Sequence, residues 1–249
     1  MKILFVGESW SISQTHIKGF DHATLCRYSE SGSPFIEMLK NNNIEVDYLP
    51  SHIAQTEFPD TVERLVQYSA VIFSDVGSNT LLLHPDTQFK CVRMPNRLKV
   101  IREYVYQGGG FLMCGGYMSY SGFEGRARYG MTPIADILPV DILKYDDRME
   151  NPEGIVPKII NPSHPILAGI EGNWPDFLGY NKLSIKQDAQ LIAVMEKNDA
   201  FISATDYGHG RTVAFASDCV PHWGTPEFVA WKHYKTLFIN IIKWLAKEI

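Results

Sequence analysis

The first 114 residues alternate short apolar runs with segments of helical spacing, and this alternation constrains the fold more than any other feature. The apolar runs have the length and composition of buried strands, and they occupy residues 2–6, 44–49, 70–74 and 111–114. The segments with helical spacing lie between them, at residues 34–42, 59–66 and 95–107. This β-α-β rhythm predicts a three-layer α/β fold with a mainly parallel central sheet.

After Gly130 the sequence pattern changes to short apolar runs that are not separated by long segments of helical spacing. These runs predict added, mostly antiparallel strands at residues 137–140, 156–160, 178–185, 191–195, 201–205 and 212–216. The segment YGHGR, residues 207–211, supplies the glycines of a hairpin turn between the last two. An amphipathic helix is predicted from Pro226 to Ala246, on which Trp231 and Tyr234 are either core residues or a subunit contact.

Length and charge limit the kind of protein and the kind of partner. A chain of 249 residues can bury a full core, so we expect one domain covering residues 1–249. The net charge of −5 gives no broad positive field for nucleic acid or anionic lipid. No apolar window reaches the 18 to 20 residues that a membrane-spanning helix requires. Small molecules or other proteins are therefore the expected partners.

The cysteine usage and the amino-terminal sequence indicate the compartment. The four cysteines show no tight pairing, and the start MKILFVGESW lacks the long apolar region and cleavage site of a secretory signal. We therefore expect reduced thiols in the cytoplasm.

One of these cysteines lies at a chemically interesting point of the predicted fold. The stretch GGGFLMCGGYMSYSG, residues 108–122, ends a helix with three glycines and continues into the strand 111–114. Cys114 is then at the carboxyl end of a central strand, where open α/β sheets bind their ligands. Two interpretations are open for Cys114: a nucleophile on a sharp turn, or a buried thiol.

Three segments resemble the class I glutamine amidotransferase-like proteins of flavodoxin-like fold, and within them the putative glutamine amidotransferase branch. Residues 108–122 with YGMTPIADILPV at 129–140 resemble the elbow region of that branch, and FASDCVPHWG at 215–224 resembles its late signature. SHPILAG at 163–169 is similar to relatives of the trehalose-utilisation type. The resemblance spans nearly the whole chain.

The resemblance implies a catalytic site of the Cys-His-acid kind. Cys114 matches the nucleophile that attacks the side-chain amide of glutamine, and His222 matches the base. Either Glu227 or Asp218 would orient the histidine, since both are near it in the chain. Gly115 would offer its N–H to the oxyanion, and Gly116 would let the backbone approach closely.

The residues around Cys114 also differ from those of the active amidotransferases. Leu112 stands where the family elbow has glycine, which predicts a looser turn. Residues 117–125, YMSYSGFEG, are poor helix formers with interrupting glycines, so no good helix is predicted directly after the cysteine. For His222, the alternative to a base is a ring packed beside Trp223 and hydrogen-bonded to a loop carbonyl.

Further candidates follow other strands of the predicted sheet. Glu8 follows the first strand and Asp75 the third, so both open on the same edge as Cys114. Glu8 is either a site carboxylate or a simple turn residue. Gly77 either lends a second oxyanion donor or, with Asp75, belongs to an ordinary polar turn.

The basic and metal-ligating candidates are less specific. Arg126 and Arg128 either clamp a carboxylate or phosphate or form a solvated face. The pair Cys219 and His222, near Asp218 and His209, has one metal-like spacing, but zinc needs three or four convergent ligands. We therefore predict no metal and no cofactor.

Two functions from different classes are consistent with these residues. The first is a small-molecule amide or ester hydrolase, or a glutaminase-like enzyme, that depends on Cys114 and His222. The second is a non-catalytic ligand-binding or oligomerisation domain that keeps the amidotransferase-like fold and is linked to carbohydrate metabolism by analogy. In both cases we expect a small-molecule ligand and self-association into a homo-oligomer.

Overall fold

The structure, a computed structural model, describes all residues from 1 to 249. Fourteen strands are present: β1 Lys2–Gly7, β2 Ser9–Lys18, β3 Asp21–Glu30, β4 Glu45–Leu49, β5 Ala70–Ser74, β6 Gly110–Cys114, β7 Val140–Ile142, β8 Arg148–Ile155, β9 Lys158–Ile159, β10 Phe177–Asn181, β11 Leu183–Ile185, β12 Gln190–Val194, β13 Ala200–Tyr207 and β14 Gly210–Phe215. Nine α-helices accompany them: α1 Ser33–Lys40, α2 Ser51–Glu57, α3 Val62–Leu65, α4 Ser78–Leu82, α5 Pro85–Lys90, α6 Arg97–Tyr106, α7 Ile134–Ile137, α8 Pro226–Val229 and α9 Tyr234–Leu245.

Eight strands form one central sheet in the order β4-β1-β5-β6-β14-β13-β12-β9. The first five are parallel to one another, and the last three are added in antiparallel fashion. Of the strands in this sheet, the next two after β1 along the chain are β4, which pairs with one edge of β1, and β5, which pairs with the other edge. The strand order therefore reverses at β1. Such a reversal opens a crevice at the carboxyl ends of the strands.

Helices cover both faces of the central sheet, as the predicted three-layer fold requires. On one face, α1 contacts α9, and the rings of Phe35 and Phe238 pack edge to face at 5.0 Å. On the other face, α6 packs beside α3, α4 and α7, and the Tyr104 hydroxyl donates to the carbonyl of Tyr68 at 2.9 Å. Strands β5 and β6 are buried along their whole length between these layers.

The predicted parallel strands and the longer helices of the first half are confirmed within a few residues. The hairpin turn between β13 and β14 is confirmed as well, with Gly208 in the left-handed conformation at φ +58°. None of the helices combines the length and the apolar character needed to cross a membrane.

Several expectations for the second half need correction. The run 137–140 is not one strand, because Ile137 ends α7 and β7 begins only at Val140, after Pro139. The run 156–160 keeps only the two-residue strand β9, since Pro157 cannot donate to a ladder. The final helix is two helices with a break between them, and Tyr234 is buried in the core at the start of the second.

The sequence pattern predicted no strand between the run 2–6 and the helix 34–42, and this is also wrong. Directly after Glu8 the chain forms a long antiparallel hairpin of β2 and β3, in ten continuous residue pairs. Both strands consist mostly of polar residues. They therefore contain no continuous apolar run of the kind that predicted the other strands. Gly19 forms the turn at φ +61°.

The Arg97 side chain ties α2, α4 and α6 together from the inside. Its guanidinium is buried and donates to four backbone carbonyls, those of Leu81, Ala54, Gln55 and Thr80, at 2.7 to 3.2 Å. These carbonyls belong to the carboxyl-terminal parts of α2 and α4, whose last carbonyls have no partner within their own helices.

Replacing this arginine should therefore destabilise the fold strongly. We expect Arg97→Ala to lower the free energy of unfolding by about 3 kcal/mol, because buried carbonyls lose a charged donor. Urea-induced unfolding of the variant measures the effect. The matched control is Arg93→Ala, whose side chain is exposed, and a similar loss in both variants would contradict this role of Arg97.

Candidate functional site

Four neighbouring parallel strands bring polar groups to one point at their carboxyl ends. Glu8 follows β1, Asp75 follows β5, Gly116 follows β6 by two residues, and Asp218 follows β14 by three. All three carboxyl groups are buried. The expectation that Glu8 and Asp75 open on the same edge of the sheet as Cys114 agrees with this topology.

Glu8 and Asp75 also have a strained backbone. Their φ angles are +49° and +46°, in the left-handed region that residues other than glycine rarely occupy. Such a conformation costs on the order of 1 kcal/mol or more and persists only where surrounding contacts enforce it. Both strained residues lie at the switch point beside β1.

His222 and Asp218 form a hydrogen-bonded pair at this edge. The imidazole Nδ1 lies 2.7 Å from Asp218 Oδ2, and the same oxygen accepts the Trp223 N–H at 2.9 Å. Asp218 is buried, whereas 44% of the His222 side chain is exposed. The Nε2 atom has no hydrogen-bond partner within the chain. Since Asp218 holds Nδ1–H, the Nε2 atom of the neutral ring is left as a proton acceptor.

Gly116 allows the two aspartates to approach each other. Its φ of +137° is a glycine conformation, and a Cβ atom there would lie 2.7 Å from Asp218 Oδ1 and 2.9 Å from Asp75 Oδ1. Asp75 Oδ1 also accepts the Met118 N–H at 2.6 Å. Gly116 therefore makes room for two carboxyl groups of the protein itself, and its predicted role beside Cys114 stays a prediction.

Burial and mutual repulsion shift the protonation of these acids. Burial and the nearby charge of Asp218 raise the pKa of Asp75 to about 6. Burial, with the charges of Asp218 and Asp75, raises the pKa of Glu8 well above its usual range. The hydrogen bond to Asp218 raises the pKa of His222, although burial opposes the shift. All three pKa shifts are upward, and perturbed pKa values of this kind cluster at functional sites.

Glu8 is held from both sides by hydroxyl groups. Ser74 Oγ donates to Oε1 at 2.5 Å, and Ser31 Oγ donates to Oε2 at 2.9 Å. Ser74 ends β5, and Ser31 directly follows β3. Glu8 therefore joins the central sheet to the root of the hairpin, which is more than the simple turn residue of the alternative interpretation.

The structure does not bring Cys114 and His222 together. Cys114 is the last residue of β6, is 0% exposed, and has no hydrogen bond to the imidazole. It is not among the residues with positive φ, so the chain makes no elbow at the sulfur. Burial and the adjacent Cys114 thiol raise the pKa of Cys219, so two buried thiols lie side by side. No α-helix follows Cys114 directly, as the residues 117–125 predicted.

The N–H groups proposed for an oxyanion differ in their availability. The Gly115 N–H donates to the Ser217 carbonyl at 2.8 Å, so it is already satisfied. The Gly116 N–H donates to Asn181 Oδ1 at 3.0 Å. The N–H groups of Gly77 and Tyr117 have no acceptor within the chain. Gly77 therefore keeps its candidate role, and Tyr117 joins it as a donor that the sequence did not single out.

Three other candidates lie outside the carboxyl cluster. Arg126 is exposed and pairs with Glu124 at 2.5 Å, and the exposed Arg128 guanidinium reaches only the Met131 sulfur at 3.8 Å. This is the solvated-face alternative. Glu227 is exposed in the first turn of α8 and makes no bond to His222. Of the two acids considered for orienting the imidazole, Asp218 makes the contact.

A second polar group at the rim was not anticipated from the sequence. The Arg148 guanidinium lies over the rings of Tyr117 and Phe123, at 4.6 and 4.3 Å from their centroids. Glu150 accepts hydrogen bonds from the Tyr117 hydroxyl and from Trp223 Nε1. Both charged residues lie on β8, whose mostly polar sequence has no apolar pattern that would predict a strand.

The residues considered for a metal do not converge. Cys219 is buried beside Ser74, with the two side-chain atoms at 3.4 Å, and His209 lies in the β13–β14 turn. No group of three His, Cys, Asp or Glu side chains is arranged to hold a metal ion.

The raised pKa of Asp75 predicts a pH-dependent penalty on folding. Between its unfolded pKa near 3.8 and its folded pKa of about 6, the folded state binds more protons, so stability falls as the pH rises. We expect Asp75→Asn, which keeps the acceptor for Met118, to be more stable than the parent at pH 8 by about 1–3 kcal/mol. The difference should vanish near pH 4. Thermal unfolding at both pH values, with exposed Asp188→Asn as control, measures it; equal effects of the two variants would refute the penalty.

The imidazole itself gives a second measurable quantity. The pKa of His222 in the folded protein should lie above 6.5, and Asp218→Asn should lower it, because the negative partner is lost. NMR titration of the ring carbons reports both values, and Asp188→Asn should leave the curve unchanged. An unchanged His222 titration in Asp218→Asn would show that Asp218 is not the cause of the raised His222 pKa.

Comparison with known proteins identifies the family. The family GATase1_like, described as putative glutamine amidotransferase, matches residues 2–247. Cytoplasmic protein STM3548 from Salmonella typhimurium is 41% identical, with a TM-score of 0.95 over 98% of this chain and 99% of that chain. Cytoplasmic protein STM1381 from Salmonella typhimurium LT2 is 44% identical, with a TM-score of 0.94 over the same shares. Both descriptions agree with the cytoplasmic location expected from the sequence.

A more distant structure shows only the fold. A putative ThuA-like protein from Bacteroides uniformis is 11% identical, with a TM-score of 0.57 over 98% of this chain and 90% of that chain. No curated protein matches the chain. The family match over nearly the whole length, together with relatives above 40% identity, establishes that the chain belongs to the GATase1_like family of putative glutamine amidotransferases.

Proposed function

We propose that this protein hydrolyses small polar amides or esters with His222 as general base. The observation that carries the proposal is the 2.7 Å hydrogen bond from the half-exposed His222 ring to the buried Asp218 carboxylate. A buried acid that holds Nδ1 fixes the tautomer and leaves Nε2 to accept a proton. The same arrangement stabilises the imidazolium that forms when the proton arrives.

The neighbouring groups supply the remaining chemistry of a hydrolysis. A water molecule at Nε2 loses its proton to His222 and attacks the carbonyl carbon, and the carbonyl oxygen takes up negative charge. The free N–H groups of Gly77 and Tyr117 are the donors for that oxygen. The His222 imidazolium then returns this proton to the leaving group, so the ring acts first as base and then as acid.

In this proposal Cys114 is a structural thiol and not the nucleophile. A thiolate must be exposed to its substrate and close to its base, and Cys114 is fully buried with no bond to His222. The glutaminase mechanism that the resemblance implies, with Cys114 attacking glutamine, is therefore the competing hypothesis that the experiment has to separate.

Four proteins distinguish these mechanisms. The parent and the variants His222→Ala, Asp218→Asn and Cys114→Ala are assayed for ammonia release from L-glutamine and for hydrolysis of p-nitrophenyl esters. We expect His222→Ala to lower kcat by about 10²-fold or more, since general base catalysis contributes 10²- to 10⁴-fold. Cys114→Ala should retain activity. His209→Ala, at the opposite end of the sheet, is the matched histidine control.

The other outcomes decide against the proposal. Activity that depends on Cys114 but survives in His222→Ala would favour the thiol mechanism. A parent protein that turns over no substrate above background would favour the non-catalytic ligand-binding domain. The pH profile is a further check, because kcat/KM should rise as His222 loses its proton at a pH above 6.5.

A further inference from the structure

The hairpin of β2 and β3, called the arm below, extends from the body with almost no support. From Ser13 to Tyr28 every residue is exposed, and at the root the arm contacts α2. Large apolar side chains are among them: Phe20 at the tip is 107% exposed, Ile17 is 73% exposed and Leu25 is 60% exposed. A two-stranded ribbon alone in water is marginally stable at best, so we expect the arm to be stabilised by contact with another surface.

The edges of the arm are open to further strand pairing. Its ten residue pairs are continuous, without a bulge, and neither strand contains proline. The stretches 11–17 and 22–26 carry no Asp, Glu, Lys or Arg. Natural proteins protect exposed strand edges with bulges, prolines and charged side chains. Their absence over the middle of the arm indicates that an edge pairs with another strand.

We propose that β3 of the arm pairs with β3 of a second copy of this chain, antiparallel and centred on Thr24, to form a two-fold dimer. Two features carry this choice of partner: the charge pattern of β3, and the aromatic-lined cleft that the exposed tip meets.

The charges of β3 complement themselves in this register. With Thr24 opposite its own copy, Asp21 lies opposite Arg27 of the partner subunit, and Arg27 lies opposite Asp21 of the partner subunit. A pairing of β2 with its copy offers nothing comparable, because the only formal charge of β2 is Lys18. Two-fold symmetry makes each favourable pair occur twice.

The same register places the exposed tip against a suitable surface. Phe20 comes near Tyr28 of the partner subunit, at the root of the other arm. Tyr28 packs on the His52 ring at 4.8 Å, and both line a cleft of 230 Å³ together with Trp10 and Gln55. An aromatic side chain that is fully exposed in one chain therefore meets an aromatic-lined cleft in the other.

Sedimentation velocity of the full chain tests the dimer. The parent should sediment as a dimer at micromolar concentration, and Arg27→Glu should raise the dissociation constant about tenfold or more, because two attractive pairs become repulsive. Within its own hairpin, residue 27 faces Ile12, so the substitution leaves the arm itself intact. Exposed Lys232→Glu is the control with the same change of charge. A monomeric parent, or equal association of parent and Arg27→Glu, would overturn the proposal.

Disulfide trapping tests the register separately. In a background with Cys26→Ser and Cys91→Ser, which removes the exposed thiols, Thr24→Cys should form a dimer-linking disulfide under diamide. Thr15→Cys is the matched control, since Thr15 is the partner of Thr24 within one hairpin and lies on the other strand. Cross-linking of Thr15→Cys as fast as Thr24→Cys, or of neither, would refute pairing through β3 at Thr24.

Discussion

The arrangement at the carboxyl edge of the sheet depends on keeping three acids close together and out of water. Glu8, Asp75 and Asp218 are buried within reach of one another's charge, which is unfavourable in a medium of low polarity. The surrounding loops offset this cost with donors: hydroxyl groups on Glu8, a backbone N–H on Asp75, and an imidazole with a backbone N–H on Asp218. The loops after β5, β6 and β14 therefore take the conformations that aim these donors inward.

The strands and the site differ in how well the sequence predicts them, because some of their interactions are local in the chain and others are not. Strands β1, β5, β6 and β14 were predictable because apolar periodicity is local, and the topology of a parallel sheet then places Glu8 and Asp75 at one edge. The partner of His222 was not predictable, since Asp218 and Glu227 are about equally near in sequence. The turn of residues 218–223, which decides the matter, is held by the Trp223 N–H bond to Asp218 and leaves no periodic signal.

Cys114 shows the same limit at the scale of one residue. The sequence correctly places it at the end of a central strand, but the direction of its side chain depends on where the chain stops being extended. In the structure β6 keeps its ladder with β14 up to Cys114, and the chain turns only at Gly116. A turn two residues earlier would have aimed the thiol toward the edge. The glycine needed for it is absent, because Leu112 occupies that position.

The arm could not be predicted from the sequence, because its strands are held by pairing with each other and have no apolar face that would leave a periodic pattern. Its root nevertheless belongs to the same cluster of acids, since Glu8 accepts a hydrogen bond from Ser31 at the end of the arm and another from Ser74 at the end of β5. One carboxyl group thus fixes both the direction in which the arm leaves the body and the position of the strand end that carries Asp75. When Glu8 takes up a proton, the hydroxyl at the protonated oxygen must accept a hydrogen bond where it donated one before, while the other hydroxyl can still donate, so the two contacts respond differently.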